Sequence, residues 1–156
     1  MFGVIYSATI KNLGIENCNI VYGNAGGLVG VSTYSYISNC YVTGNVKGMH
    51  SVGGLIGQSC CDNISNCCFS GSVNAVGRGG TSVGGLVGMF LGGCLGGEGS
   101  GYSATIISNC YVTGKVSAVN TDYHAFHVGG LVGDSYDGII RVCVVALDSL
   151  TSATAL

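Results

Sequence analysis

The sequence predicts an all-β protein that folds as a right-handed parallel β-helix, a β-solenoid of about five rungs. Glycine supplies 29 of the 156 residues and proline none, and Gly costs about 1 kcal/mol relative to Ala inside an α-helix. Val, Ile, Tyr and Thr fill the positions between the glycines, and these residues favour strands. Two short blocks recur along the chain, and parallel crossover connections are right-handed in nearly all proteins.

The first recurring block places a Gly pair before Leu. Its four copies are AGGLVG (25–30), VGGLIG (52–57), VGGLVG (83–88) and VGGLVG (128–133). The second block places Asn before Cys, and its copies are IENCNIVYG (15–23), ISNCYVTGNV (37–46), ISNCCFSGSV (64–73), ISNCYVTGKV (107–116) and a degenerate IRVCVVAL (140–147). The blocks keep their length while the connections between them vary, as in stacked coils joined by loops.

One connection carries an insertion. The first Gly of the pair precedes the Cys by 14 residues in three copies and by 26 residues in the other. The additional residues fall in the Gly-rich segment 89–105, which we expect to protrude as a loop. The chain otherwise reads as one domain, 1–156, which we expect to be a segment of a longer protein.

Stacked parallel rungs place equivalent residues in columns about 4.8 Å apart. We predict four inward columns and one asparagine ladder at a bend, where Asn tolerates unusual backbone angles. The columns are Ile15, Ile37, Ile64, Ile107 and Ile140; Cys18, Cys40, Cys67, Cys110 and Cys143; Ile20, Val42, Phe69, Val112 and Val145; Leu28, Leu55, Leu86 and Leu131; and the ladder Asn17, Asn39, Asn66 and Asn109. The ladder ends at Val142.

The Gly pairs recur in every rung, so they serve backbone geometry, either a positive φ angle or a close approach between chains. A phosphate-binding glycine loop would occur once, between a strand and a helix. We therefore do not assign the pairs to phosphate binding.

Charge and hydropathy exclude several classes of function. Five Lys and Arg residues and a net charge of -2 cannot form the basic face of a nucleic-acid binder. No apolar run is long enough for a membrane-spanning helix, and the first residues lack the features of a signal peptide. We expect either an intracellular protein or a piece of a longer exported one.

The two blocks strongly resemble the GLUG motif, which is named for Gly-Leu-hydrophobic-Gly. The opening ATIKNLGIENCNI and the ending RVCVVALDSLTSA resemble the segments that lead into and close such arrays. The chain departs from the family in its high Cys content and in MFGVIY, which stands where a GLFGYI-type rung is expected. The resemblance implies a structural or adhesive module of large bacterial surface proteins, including adhesin-like and IgA-peptidase-like chains, at the cell surface or outside the cell.

Partners follow from the same resemblance. It implies a host or neighbouring-cell surface protein or glycan, and the adjoining segments of the parent chain. The unpaired strand edges at both ends of a β-helix also predict end-to-end self-association.

We expect no cofactor and no metal. Five of the nine cysteines fall in the predicted inward column, where a free thiol fills space as a small apolar group. The segment CCDNISNCC lacks the CxxC spacing of a zinc site. A disulfide between Cys94 and either Cys60 or Cys61 is the alternative for the remaining cysteines, while Cys68 takes an outward place.

We also expect no catalysis. Three His residues and seven carboxylates offer no paired acid and base within the repeat. The alternative is a carbohydrate-active or metal-dependent enzyme, or a glycan-binding module, that uses the variable loops.

Binding residues are expected where length varies, because insertions in solenoids collect on one side. The predicted loops are 45–51, 72–82 and 115–127, which leave the same corner of every rung. The last is the longest and carries Tyr123, His124, Phe126 and His127 as the predicted binding residues. The alternative is that Phe126 packs under the loop. Tyr22, Tyr41 and Tyr111 at outward places could stack on sugars or contact a protein.

Overall fold

The structure is a computed structural model that describes residues 2–77, 80–92, 104–120 and 126–154. These residues form nineteen strands and no helix. The chain winds through five coils, and the first four each contribute one strand to each of four parallel sheets. The predicted all-β fold of stacked parallel rungs is confirmed.

The strands follow one another in the same order in every coil. The first coil contains β1 (Phe2–Tyr6), β2 (Thr9–Lys11), β3 (Gly14–Tyr22) and β4 (Ala25–Gly26). The second contains β5 (Val29–Thr33), β6 (Tyr36–Ser38), β7 (Tyr41–Gly48) and β8 (Ser51–Gly53). The third contains β9 (Ile56–Cys60), β10 (Asn63–Ser65), β11 (Cys68–Gly77) and β12 (Ser82–Gly84). The fourth contains β13 (Val87–Leu91), β14 (Thr105–Ser108), β15 (Tyr111–Asn120) and β16 (His127–Gly129), and the fifth contains β17 (Val132–Tyr136), β18 (Gly138–Arg141) and β19 (Val144–Thr154).

We name the four sheets by the order in which a coil visits them. Sheet A contains β1, β5, β9, β13 and β17, and sheet B contains β2, β6, β10, β14 and β18. Sheet C contains the long strands β3, β7, β11, β15 and β19, and sheet D contains β4, β8, β12 and β16. All pairings are parallel, and they join each coil to the next.

The core runs along the solenoid axis. Ile37, Ile64 and Ile107 stack in sheet B, since Ile64 pairs with both of the others. Across the core, Leu28, Leu55 and Leu86 are fully buried. The equivalent residues of the fifth coil are not covered, and Ile140 is 45% and Val145 43% exposed. Because a single short strand buries little apolar area, the coils stabilise one another by stacking.

The predicted columns are wrong in the first coil. Ile10, rather than Ile15, pairs with Ile37. Asn12 and Leu13 therefore stand in the columns expected for Asn17 and Cys18. The Asn12 carboxamide accepts a hydrogen bond from Asn39 Nδ2 at 3.2 Å, as the ladder requires.

The first-coil residues that were expected to align with the sheet B strands and the bend lie instead in strand β3 of sheet C. Ile15 pairs with Val42, and an additional residue places Cys18 opposite Gly44 and Ile20 opposite Val46. Asn12 and Asn17 both adopt a positive φ, 56° and 54°. Asn12 makes the bend between sheets B and C, whereas Asn17 makes a bulge inside β3. The Asn-Cys pair at 17–18 therefore does not mark the bend that the same letters mark at 39–40 in the next coil.

The predicted loops 45–51, 72–82 and 115–127 are mostly strand. Strand β7 continues to Gly48, β11 to Gly77 and β15 to Asn120. Asn74 pairs with Lys47 on one side and Ser117 on the other. Polar and Gly residues favour loops in isolated chains, but the neighbouring coils supply backbone hydrogen bonds here.

Close approach, rather than positive φ, explains the Gly pairs. A Cβ atom on Gly53 would lie 2.0 Å from the Ile56 carbonyl oxygen. Positive φ occurs instead at a glycine column in sheet C, where Gly71 has a φ of 151° and a Cβ would lie 2.0 Å from the Gly44 oxygen. Within the described ranges, no helix has the length and apolar character to cross a membrane.

Candidate functional site

The cysteine column lies inside the solenoid. Cys40, Cys67 and Cys110 are buried free thiols, and each donates to the backbone oxygen two residues earlier at 3.2 Å. Cys143 continues the column with partial exposure. The hydrogen bond with the Cys110 side chain, together with burial, raises the pKa of the Cys67 thiol. The same hydrogen bond lowers the pKa of Cys110, so the Cys67 thiol stays protonated at neutral pH and is a poor nucleophile.

Two further cysteines, Cys60 and Cys68, lie in strands of sheets A and C. Cys60 is disulfide-bonded, and the predicted partner Cys94 lies outside the described residues. Cys68 pairs with Tyr41 and Tyr111 on the outer face of sheet C. The part of the chain that the structure describes contains no group of three or more His, Cys, Asp or Glu side chains arranged to hold a metal ion.

The predicted binding residues divide between several environments. Tyr123 and His124 lie outside the described residues. Phe126 is partly buried and packs against the core, so this ring anchors the chain at the start of β16. His127 is brought to Asp134 of β17, with Nδ1 2.8 Å from Oδ2. The His127 side chain remains 49% exposed.

A cleft lies at the corner between sheets A and B. This corner cleft has a volume of about 430 Å³, which falls in the range of small-molecule sites. Its lining residues come from three successive coils and are Tyr34, Ser35, Tyr36, Cys61, Asp62, Asn63, Ala104 and Ile106. Tyr36 at the rim is 62% exposed, and the Tyr34 ring makes an edge-to-face contact with Tyr6 at 5.6 Å.

Asp62 is the buried carboxyl group of the corner cleft. Its Oδ1 accepts a hydrogen bond from the Ser35 backbone N–H at 2.7 Å, and Oδ2 accepts one from the Ser59 hydroxyl at 2.6 Å. Burial raises the pKa of Asp62, and the hydrogen bonds from Ser59 and Ser35 oppose this shift. The carboxyl group thus links the second and third coils and has both oxygens engaged by the protein.

Sequence reasoning missed the role of Asp62. The residue lies in the cysteine-rich segment CCDNISNCC, where spacing along the sequence raises only the question of a metal site. The available signal was positional, because Asp62 directly precedes a sheet B strand as Ser35 does one coil earlier. A polar residue repeated before equivalent strands indicates a shared hydrogen-bonding role at the corner.

The outer face of sheet C presents side chains in regular columns. Tyr41, Cys68 and Tyr111 form one outward column, and the Tyr side chains are 39% and 44% exposed. The Tyr41 ring lies over Gly14, where a Cβ would come within 2.2 Å of it. Its hydroxyl donates to Glu16 Oε1 at 2.9 Å, so the ring is fixed along the sheet.

Polar columns accompany these tyrosines. The next outward positions of β7, β11 and β15 are Thr43, Ser70 and Thr113, followed by Asn45, Ser72 and Lys115.

The hydrogen bond to Glu16 and the charge of that carboxylate raise the pKa of Tyr41. The phenol therefore stays neutral and remains a hydrogen-bond donor at physiological pH.

Comparison with known families identifies one segment of the solenoid, about as long as one coil. Residues 22–47 match the family model of the GLUG motif. No curated protein and no solved structure matches the chain. The matched residues run from the end of β3 through β7 and include the first Gly-Gly-Leu turn. The protein therefore carries a GLUG motif at residues 22–47, within a solenoid whose next two coils repeat the same turn and bend.

Proposed function

We propose that the protein is a non-catalytic structural and adhesive module of a bacterial cell-surface or secreted protein. The observation that carries the proposal is the outer face of sheet C. Its five strands are 8 to 11 residues long, and they present polar side chains and two exposed tyrosines in regular columns. Such a face suits contact with a surface glycan or a protein of a host or neighbouring cell.

Rigidity supports this proposal. Each inner coil is hydrogen-bonded to the coil above and the coil below, and Phe69 at the centre of sheet C is 1% exposed. Groups on the outer face consequently keep fixed positions, so little conformational entropy is lost on binding. Several weak contacts presented together strengthen attachment through their high effective concentration.

The polar groups of the corner cleft support a structural role over an enzymatic one. Glycoside hydrolysis requires two carboxyl groups that face the scissile bond. Asp62 is the one carboxyl group among the described residues that line the cleft. Ser35 and Ser59 engage both of its oxygens, which leaves the group committed to the fold.

The ends of the solenoid support stacking on further coils. Ile140, Val145 and Leu150 occupy inward columns of the fifth coil, yet they are 45%, 43% and 51% exposed. Their counterparts in the inner coils are buried. We assign this surface to adjoining segments of the parent chain or to end-to-end association, both of which would bury it.

Adhesion and turnover should be measured on the same preparation. Beads coated with the full chain are tested for retention on cell surfaces and immobilised glycans, and soluble chain is tested for release of reducing sugar from polysaccharides. We expect retention without release. Release that Asp62→Asn abolishes would establish the enzymatic alternative, and absence of retention on every surface would reduce the role to that of a spacer.

A further inference from the structure

We infer that the outer face of sheet C binds an extended, uncharged β-linked polysaccharide whose chain runs along the solenoid axis. The inference deepens the proposed adhesive function and rests on it, because it names the ligand class and the residues in contact. Tyr41 and Tyr111 provide the two stacking platforms. The polar columns beside them provide hydrogen bonds to sugar hydroxyls.

The spacing of the two rings carries the inference. Cys68 pairs with Tyr41 on one side and with Tyr111 on the other, so the tyrosines are two rungs, or about 9.6 Å, apart. A β-linked hexose chain is extended and presents the same ring face at every second sugar. One sugar spans about one rung, so the first and third sugars of a bound segment meet Tyr41 and Tyr111.

The local packing orients the Tyr41 ring for this contact. Tyr41 lies over Gly14, and its hydroxyl is held by Glu16 at 2.9 Å. Tyr111 follows Cys68 in the same column, so each tyrosine has a small residue on its N-terminal side.

Charge on this face favours an uncharged ligand. The exposed cations Lys47 and Lys115 are matched in number by the exposed carboxylates Glu16 and Asp148. The face therefore has no net charge that would select an anionic polymer or repel a neutral one. Hydroxyl and amide side chains in these columns, such as those of Thr113 and Asn45, match the hydrogen-bonding groups of a neutral sugar.

The test is a binding isotherm of the full chain on insoluble β-1,4-glucan and on chitin, with granular α-glucan as the control polymer. We expect binding to at least one β-linked polymer. Tyr41→Ala combined with Tyr111→Ala should weaken that binding about a hundredfold, or about tenfold for each ring. Tyr136→Ala, which removes a 56% exposed ring from sheet A, should leave binding unchanged.

Conservative variants separate stacking from folding. Tyr41→Phe with Tyr111→Phe keeps both rings and should retain binding within about threefold, with unchanged circular dichroism. Binding should also persist at about 0.5 M NaCl, where exposed charges are screened. Loss of binding at high salt would show that charged side chains such as Lys47 and Lys115, rather than the rings, hold the polymer, and would overturn the stacking assignment.

The outcomes distinguish this inference from the proposed function. Failure of the wild-type chain to bind either β-linked polymer overturns the ligand class, while retention on cell surfaces in the bead assay would leave the adhesive role standing. Equal binding by the double Ala variant and the wild type would overturn the assignment to sheet C. Failure in both assays would overturn both proposals.

Discussion

Val142 occupies a backbone conformation that its side chain opposes. Its φ is 49°, as in the Asn ladder where Asn109 has 51°. The left-handed region costs an L-residue about 1–2 kcal/mol, and a β-branched residue is an outlier there. Because Val142 is 80% exposed, replacement by Asn forfeits little burial. We expect Val142→Asn to raise the free energy of unfolding by about 1 kcal/mol, or the melting temperature by about 2–4 °C.

The assay is urea unfolding followed by circular dichroism, with thermal unfolding as a second measurement. Val144→Asn is the matched control, since Val144 is 56% exposed but begins β19 and pairs with Tyr111. Asn is unfavourable in a strand on a scale that spans about 1 kcal/mol, so this variant should lose stability. If both variants shift stability in the same direction, or if Val142→Asn is neutral, the strain assigned to residue 142 does not exist.

Three further predictions follow from burial, backbone contact and ionisation. Leu55 is fully buried, so Leu55→Ala should cost about 2–5 kcal/mol, whereas Leu150→Ala at a 51% exposed site should cost less in the same urea titration. Gly71→Ala should destabilise strongly, because its Cβ would lie 2.0 Å from a backbone oxygen of the neighbouring coil, and Gly3→Ala, with nothing within 4 Å of its Cβ, is the control. Burial raises the pKa of Asp62, so its contribution to stability is fully present below the unfolded-state pKa and is lost as pH rises through the higher folded-state pKa. As the pH rises from acidic to neutral, the free energy of unfolding of Asp62→Asn should therefore increase relative to that of the wild type. Parallel pH profiles of the two proteins would contradict this account.

The inner coils could be predicted from sequence because their spacing is fixed. Equal separation between Gly pair and Cys places Leu55 and Ile64 of one coil in register with Leu28 and Ile37 of the preceding coil. Alternation of apolar and polar residues then determines which side chains point inward. Burial of these four side chains agrees with that pattern.

The first coil could not be predicted in the same way. Asn12 and Asn17 are both suited to a positive φ, and the letters around Asn17 resemble the repeat more closely. The choice is made by stacking, because Ile10 must pair with Ile37 if β2 is to join sheet B. A sequence pattern scores each coil separately, whereas the register of an end coil depends on its one neighbour.

The candidate sites show the same division. Outward places for Tyr41 and Tyr111 follow from alternation, and the structure adds the orientation of the Tyr41 ring over Gly14. The linking role of Asp62 depends on Ser35 and Ser59, which lie on different coils. A pattern read along the sequence reveals contacts between coils only where equivalent positions of successive coils carry the same residue.

The corners and the sheets of the solenoid are under different physical constraints. An insertion at a corner leaves the strand pairing within the sheets intact. The length of the connection varies at two corners, between β13 and β14 and between β15 and β16. Within sheet C an extra residue breaks the register, and such shifts occur in the end coils, at β3 and β19. A ligand-binding column on sheet C therefore keeps its spacing through the inner coils. Each pair of added coils would extend that column by one two-rung repeat, so affinity for a polymer should increase with the number of coils. A binding site in a single corner loop would not gain affinity from additional coils.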